Sequence, residues 1–185
     1  MSKTILKVQK VSPEAKLPTK PEKDPKASGF DLYAYDVKRV YIHSGGNGEV
    51  LLDTPEKIKR RMLEKDILEL QCNERALVGT GIKATIGEGY ELQIRPRSGK
   101  ALKQGLTVVN TPGTVDASYR GEIGIIIMNT SRKVQTIKLG EAIAQMVPMK
   151  VELPELTEMD LDTTTRGSDG FGSTDDKKEK LDDNE

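Results

Sequence analysis

Short segments of β-branched and apolar residues, separated by glycines, fill the sequence from Ile67 to Val151, and no other pattern in the chain constrains the fold more strongly. Runs of this length with closely spaced turn residues are typical of an antiparallel sandwich or barrel, because a doubly wound sheet needs a helix between successive strands. The sequence therefore predicts an all-β fold. The predicted strands cover residues 67–70, 76–78, 82–86, 90–94, 108–109, 123–128 and 143–147, with further β-prone positions at Ile137 and Val151.

The first 70 residues are less regular. Residues 5–11 begin and end with alternating apolar and polar residues, which predicts a half-buried strand, and four prolines then exclude regular structure through Lys26. A glycine-rich turn at 44–48 precedes residues 49–53, which could complete a short hairpin. Thr and Pro at positions 54 and 55 are a typical N-cap and first helical residue, so we predict a short helix over residues 55–65.

Composition excludes several classes of function. The chain carries 29 basic and 29 acidic side chains, so it has no net positive charge that would attract nucleic acid. One cysteine, Cys72, rules out an internal disulfide, and together with the single histidine, His43, it leaves no Cys/His metal cluster. No apolar run approaches the ~18 residues of a membrane span, and the first residues lack a secretory segment. We expect a soluble cytoplasmic protein with a disordered charged tail over residues 175–185.

Three stretches carry groups suited to anions or metals. Residues 95–100 bring two arginines, a lysine, a hydroxyl and a glycine together, which suits phosphate oxygens, although a basic surface turn has the same composition. Residues 166–174 combine Arg166, three glycines, hydroxyls and a lone aromatic, Phe171. These residues suggest a loop that binds phosphate and covers a nucleotide base with its aromatic ring. A flexible linker is the alternative. Asp31 is an isolated acid that either caps a loop or belongs to a metal site.

A hairpin is predicted over residues 106–117, because a Pro-Gly pair occupies the central positions of a type II turn. Its far arm carries Asp116, and Tyr119 follows three residues later. Hairpin backbone offers donors and acceptors that can mimic a pairing partner for a flat base, although an ordinary hairpin with a solvent-exposed aspartate also fits. In the last predicted strand, Gln145 needs a polar partner if it is buried.

Five stretches of this chain resemble, in order, the five motifs of the homotrimeric dUTP diphosphatase (dUTPase) family. The resemblance implies a jelly-roll-like β fold, a trimer with active sites at subunit interfaces, and hydrolysis of dUTP to dUMP and pyrophosphate with Mg²⁺. Such an activity limits uracil incorporation into DNA and supplies dUMP for dTMP synthesis. It also implies a β domain over 1–165, with an apparent insertion at about 40–69, and a C-terminal arm. The motifs correspond to residues 27–32, 96–99, 113–121, 140–147 and 166–174.

The resemblance assigns roles to the ambiguous residues. Asp116 is implied as the base that activates water for attack on the α-phosphorus, and Tyr119 as the aromatic that packs on deoxyribose and excludes a 2′-hydroxyl. Asp31 would hold Mg²⁺ through water. Uracil would be read in a narrow slot of the hairpin, at Asn110, Gly113 and Val115. The phosphates would be bound by Arg97, Ser98, Gly99 and Gln145. The arm that closes the site would contribute Arg166, Phe171, Gly172, Ser173 and Thr174.

The chain departs from the family pattern at three positions. Lys100 stands where the family usually has an apolar residue, Ala142 where it usually has arginine, and Asp169 where a glycine is common. If the arm binds the phosphates as the resemblance implies, Asp169 would place a negative charge near them. None of the three removes an implied catalytic group. The apparent insertion is long enough to contact a neighbouring subunit or a separate protein partner.

Two other functions fit part of the pattern. A dCTP deaminase, alone or bifunctional, shares the fold and related motifs, but the arm motif and residues 116–119 favour the diphosphatase. A regulatory binding protein could instead use the nucleotide as a switch while the insertion binds a partner. Product analysis with dUTP and dCTP separates the two enzymes.

Overall fold

Two compact units make up the chain in the computed structural model, which describes residues 4–43, 49–64 and 66–168. The first unit is Met1–Leu153 and the second is Pro154–Glu185. All helices and strands assigned to the described residues lie in the first unit. The strands are β1 (Lys7–Lys10), β2 (Phe30–Tyr33), β3 (Asp36–His43), β4 (Glu49–Leu52), β5 (Met62–Glu64), β6 (Ile67–Leu70), β7 (Arg75–Gly79), β8 (Ile82–Thr85), β9 (Tyr90–Pro96), β10 (Leu106–Val108), β11 (Gly113–Val115), β12 (Gly124–Asn129), β13 (Gln135–Lys138) and β14 (Ala142–Lys150). The helices are α1 (Pro55–Lys59) and α2 (Ser98–Gln104).

The strands form antiparallel sheets around one apolar core. The largest sheet has the order β10-β12-β7-β3-β4, and a four-stranded sheet has the order β11-β9-β14-β2. The smaller sheets are β13-β6-β5 and β1-β8. Successive side chains of a strand point to opposite faces, so Ile125 and Ile127 of β12 are buried while Ile126 is only half-buried. The predicted all-β class is confirmed, and strands β6 to β9 and β12 begin and end within two residues of their predicted bounds.

Helix α1 begins as predicted and ends early. Thr54 is its N-cap, and the Thr54 hydroxyl accepts a hydrogen bond of 3.3 Å from the backbone N–H of Lys57. The helix ends at Lys59 because residues 62–64 pair with β6 as strand β5, which contradicts the predicted helix over 55–65. The turn predicted at 44–48 lies outside the described residues.

The stretch 40–69 shares the core with the rest of the first unit. Val40 in β3 and Leu68 in β6 are fully buried. Strand β3 pairs with β7, and β6 pairs with β13. Removing residues 40–69 would delete the second half of β3 and all of β6 except Leu70, together with two core side chains, so the stretch is not a removable addition. Its status as an insertion relative to the family stays a prediction.

The predicted hairpin over residues 106–117 is wrong. Strand β10 pairs with β12 and β11 pairs with β9, so the two arms belong to different sheets. Gly113 is itself a strand residue opposite Ile94, whereas the third residue of a type II turn needs a positive φ. Residues 109–112 therefore carry the chain from one sheet to the other, and Asp116 directly follows the edge strand β11.

The second unit is described through residue 168. Its residues 154–168 contain no helix or strand and expose Leu156, Met159 and Leu161. The compact units divide after Leu153, and the predicted division at 165/166 between β domain and arm stays a prediction. No helix among residues 4–43, 49–64 and 66–168 combines the length and apolar content that crossing a membrane requires.

Candidate active site

A cavity of about 540 Å³ lies where β2, the end of β9, α2 and β14 meet, and we call it the α2 cavity. Its lining is mostly cationic or polar and contains one carboxylate. Six of its residues belong to stretches that the sequence assigned to phosphate or metal binding. The lining consists of Pro21, Asp31, Arg97, Ser98, Gly99, Lys100, Lys103, Gln104 and Gln145.

Sheet register brings these residues together. Strand β14 lies between β2 and β9, and Gln145 is the register partner of both Asp31 and Arg95. Residues directly opposite in antiparallel strands have Cβ atoms about 5 Å apart. Strand β9 then ends at Pro96, and the chain enters α2. Arg97 is therefore placed beside β14, although it lies 67 positions after Phe30 at the start of β2 and 45 positions before Ala142 at the start of β14.

Arg97 is held in place by two other elements. It is the N-cap residue of α2 in extended conformation, and its side chain makes no capping bond. Its Nε lies 3.0 Å from Oδ1 of Asp31, and its Nη1 donates to the carbonyl oxygen of Ala142 at 3.2 Å. A guanidinium has five N–H donors, so these two contacts leave three, and Arg97 also lines the α2 cavity.

Asp31 lies in strand β2 and does not cap a loop, which corrects one of its two sequence interpretations. Its carboxylate is mostly shielded, with the side chain 17% exposed, and is paired with Arg97. Within the described part of the chain, no three His, Cys, Asp or Glu side chains are grouped closely enough to hold a metal ion together.

Gln145 has a polar partner, as the sequence predicts for a buried amide. Its Nε2 donates to the carbonyl oxygen of Pro96 at 2.9 Å, which links β14 to the end of β9. A Cβ atom at position 29 would lie 2.5 Å from Gln145 Oε1, so a larger residue there would displace the Gln145 amide. Gly29 thus gives the Gln145 amide its space beside the α2 cavity.

Asp116 lines a different cavity from Arg97. This second cavity, of about 770 Å³, is formed by residues 87–91, 116–118, 120 and 151–153. Asp116 is exposed in it. Tyr119 is 44% exposed, and its hydroxyl donates to the carbonyl oxygen of Glu122 at 2.9 Å. One chain by itself therefore does not bring Asp116 into the α2 cavity.

The three residues expected to read uracil surround the beginning of edge strand β11. Gly113 and Val115 are buried, and Asn110 is exposed. A Cβ atom at Gly113 would lie 3.2 Å from Nδ2 of Asn110, which means that the Asn110 amide packs closely over the glycine. The site residues of the arm are mostly undescribed: Arg166 is exposed in the second unit, and Phe171, Gly172, Ser173 and Thr174 lie outside the described residues.

Pro21, Lys103 and Gln104 line the α2 cavity but were not assigned to it by the sequence. A helix starting at Ser98 places Lys100 three residues after Arg97, and Lys103 and Gln104 one turn beyond Lys100, since residues three and four apart share a face. This helix was not predicted from the sequence, because none of its residues is buried and the run has no apolar repeat.

A family model described as dUTPase matches residues 62–175. The curated deoxyuridine 5′-triphosphate nucleotidohydrolase of Nautilia profundicola is 41% identical over 170 residues, covering 91% of this chain and 97% of the relative. Both findings cover the residues of the α2 cavity around Arg97 and of strand β14.

Solved structures agree on the fold. A mutant dUTPase of Staphylococcus bacteriophage 80alpha with dUpNHpp superposes with a TM-score of 0.67 at 22% identity, covering 92% of this chain and 98% of that one. A mutant dUTPase from phage phi11 of S. aureus, described with a structural Mg(II) ion, has a TM-score of 0.62 at 21% identity, covering 86% and 99%. On the matched family model and the near full-length relative, the chain belongs to the dUTPase family.

Proposed function

We propose that this protein hydrolyses dUTP to dUMP and pyrophosphate. The observation that carries the proposal is that Arg97, which contacts both Asp31 and Ala142, lines the same cavity as Ser98 and Gln145. Arginine binds phosphate oxygens in a bidentate manner, and membership of the dUTPase family names the nucleotide. Ser98, Gly99 and Gln145 then complete the phosphate contacts.

Magnesium is the second part of the proposal. A Mg²⁺ ion keeps several waters and is usually held by one or two carboxylates together with substrate phosphates. The lone carboxylate of Asp31 fits that pattern, through water. When bound, such an ion supplies positive charge to the phosphate oxygens. Arg97 and, from the arm, Arg166 would supply the remaining charge and orient the chain of phosphates.

Asp116 is the proposed general base. It would accept a proton from the water that attacks the α-phosphorus, forming the new P–O bond as the bond to the pyrophosphate oxygen breaks. A general base must lie within hydrogen-bond reach of the proton it takes, directly or through one water. Because Asp116 and Arg97 line separate cavities in one chain, we propose a homotrimer whose sites combine them from neighbouring subunits.

Uracil recognition is proposed at the edge strand β11. An edge strand leaves one row of backbone N–H and C=O groups unpaired, and these can hydrogen-bond a flat base beside Asn110, Gly113 and Val115. Tyr119 would pack on the deoxyribose and leave no room for a 2′-hydroxyl. The arm, residues 166–174, would close the site with Phe171 over the base, and Gly172, Ser173 and Thr174 near the γ-phosphate.

Four further expectations belong to this proposal. The chain would act in the cytoplasm and would not bind nucleic acid stably. The tail over residues 175–185 would remain outside the catalytic unit. Residues within 40–69 would contact a neighbouring subunit or a separate protein; Leu63 of β5 is 61% exposed there.

Nucleotide selectivity tests the proposal. We expect kcat/KM for dUTP to exceed that for dTTP, dCTP and UTP by at least ~10²-fold. The methyl, amino or hydroxyl group that distinguishes each of these nucleotides would clash with the site or leave buried polar groups unpaired. The measurement is a steady-state rate for each nucleotide with product analysis. Ammonia release from dCTP would identify a deaminase instead, and comparable kcat/KM for UTP would remove the role of Tyr119.

A further inference from the structure

The side chain of Lys100 joins helix α2 to the beginning of strand β14, and we propose that this contact positions Arg97 for phosphate binding. The inference rests on the proposed function and adds a positioning pair, Lys100 and Glu141, to its contact residues. Lys100 Nζ lies 2.7 Å from Oε2 of Glu141, and the Lys100 side chain is only 13% exposed. An ion pair shielded from water in this way holds its geometry better than an exposed pair does.

Helix α2 has little else to hold it. None of its seven residues is buried, and Leu102 is 86% exposed, so no apolar contact with the core fixes the helix. Its C-terminal end is fixed at Gly105, whose carbonyl oxygen accepts from the backbone N–H and the hydroxyl of Thr130 at 2.9 and 2.8 Å. The N-terminal half, next to Arg97, therefore depends on side-chain contacts, and Lys100 makes the most shielded of them.

Glu141 is a fixed partner. Its other carboxylate oxygen accepts from the backbone N–H of Lys138 at 3.1 Å, and its carbonyl oxygen accepts from the backbone N–H of Ala34 at 2.9 Å. The next residue, Ala142, accepts the hydrogen bond from Arg97. Two contacts from the start of α2 thus end on consecutive residues of the chain at β14. The Lys100–Glu141 pair sets the spacing between α2 and β14, and this spacing orients the guanidinium of Arg97.

Lys100 also lines the α2 cavity, so direct contact with phosphate is the competing role. The two roles respond differently when the charges are exchanged. A swapped pair, Lys100→Glu with Glu141→Lys, keeps the link between α2 and β14 but places a carboxylate at position 100. Positioning would survive this exchange, whereas direct phosphate binding by position 100 would not.

We expect Lys100→Met and Glu141→Gln each to lower kcat/KM for dUTP by about 10- to 100-fold, since displacement of a positioning group by about 1 Å can have effects of this size. The swapped double variant should recover at least half of that loss on a logarithmic scale. Lys138→Met is the matched control, because it removes the same charge from an exposed side chain beside Glu141; it should stay within twofold of the unaltered protein. Lys100→Gln serves as the second single variant if Lys100→Met does not fold.

Two readouts separate failure of the pair from failure of the proposed function. Hydrolysis of dUTP by the unaltered full-length protein tests the function, and binding of inorganic tripolyphosphate by calorimetry tests the pair independently. Weaker binding in both single variants and recovery in the swapped variant support positioning, whether or not dUTP is hydrolysed. Unchanged binding and kinetics in folded Lys100→Met, or impairment that the swap does not relieve, would overturn it.

Discussion

Asp116→Asn is expected to bind dUTP with Mg²⁺ and to turn it over at least ~10²-fold more slowly, which is the lower end of what a positioned base contributes. Asparagine keeps the shape of the side chain and loses the ability to accept the proton. The loss should therefore appear in kcat with KM nearly unchanged. Asp116 is exposed beyond the end of β11, so the substitution removes no core contact.

Asp66→Asn is the control for this experiment, because it makes the same chemical change at an exposed aspartate in the turn between β5 and β6. Its kcat should match that of the unaltered protein. Binding of a non-hydrolysable dUTP analogue, measured by calorimetry, checks that Asp116→Asn keeps an intact site. A near-normal kcat in Asp116→Asn would mean that another group activates the water.

Truncation after Thr165 is expected to leave a folded trimer whose hydrolysis of dUTP falls steeply. The truncated protein would lack Phe171 over the base, a stacking contact of a kind worth ~1–3 kcal/mol, and the γ-phosphate contacts of Arg166, Ser173 and Thr174. Truncation after Thr174 is the matched control, since it removes only the charged tail and should leave kcat/KM unchanged. Light scattering after size exclusion verifies the trimer in both proteins.

Mixed trimers test whether the arm acts on a neighbouring subunit. Subunits carrying only Asp116→Asn, combined with subunits truncated after Thr165, should regain activity, because some sites receive an intact Asp116 and an intact arm from different chains. If heterotrimers form and activity does not return, the arm closes on its own subunit or the site is not shared.

The strands were predictable because each is a short run of β-branched and apolar residues between turn residues. The pairing of strands was not. The Pro-Gly pair at 112–113 is compatible with a local hairpin, yet β10 and β11 find their partners in β12 and β9. Helix α2 escaped prediction for a related reason: none of its residues is buried, so it has no apolar period to detect.

The sequence predicted which types of residue form the candidate site better than it predicted which residues contact each other. A cluster of arginines, hydroxyl and glycine indicates phosphate binding wherever it folds. That Arg97 would pair with Asp31, far along the chain, follows only from β14 lying between β2 and β9. Nothing in the sequence indicates that Asp116 and Arg97 line two different cavities, because this depends on how the sheets pack around the core.

Hydrolysis of dUTP in ¹⁸O-enriched water tests the central claim most directly, because it reports both the substrate and the atom attacked. If a water activated by Asp116 attacks the α-phosphorus, mass spectrometry will find one ¹⁸O atom in each dUMP and none in pyrophosphate after a single turnover. Label in the pyrophosphate, or release of dUDP and inorganic phosphate, would contradict the account.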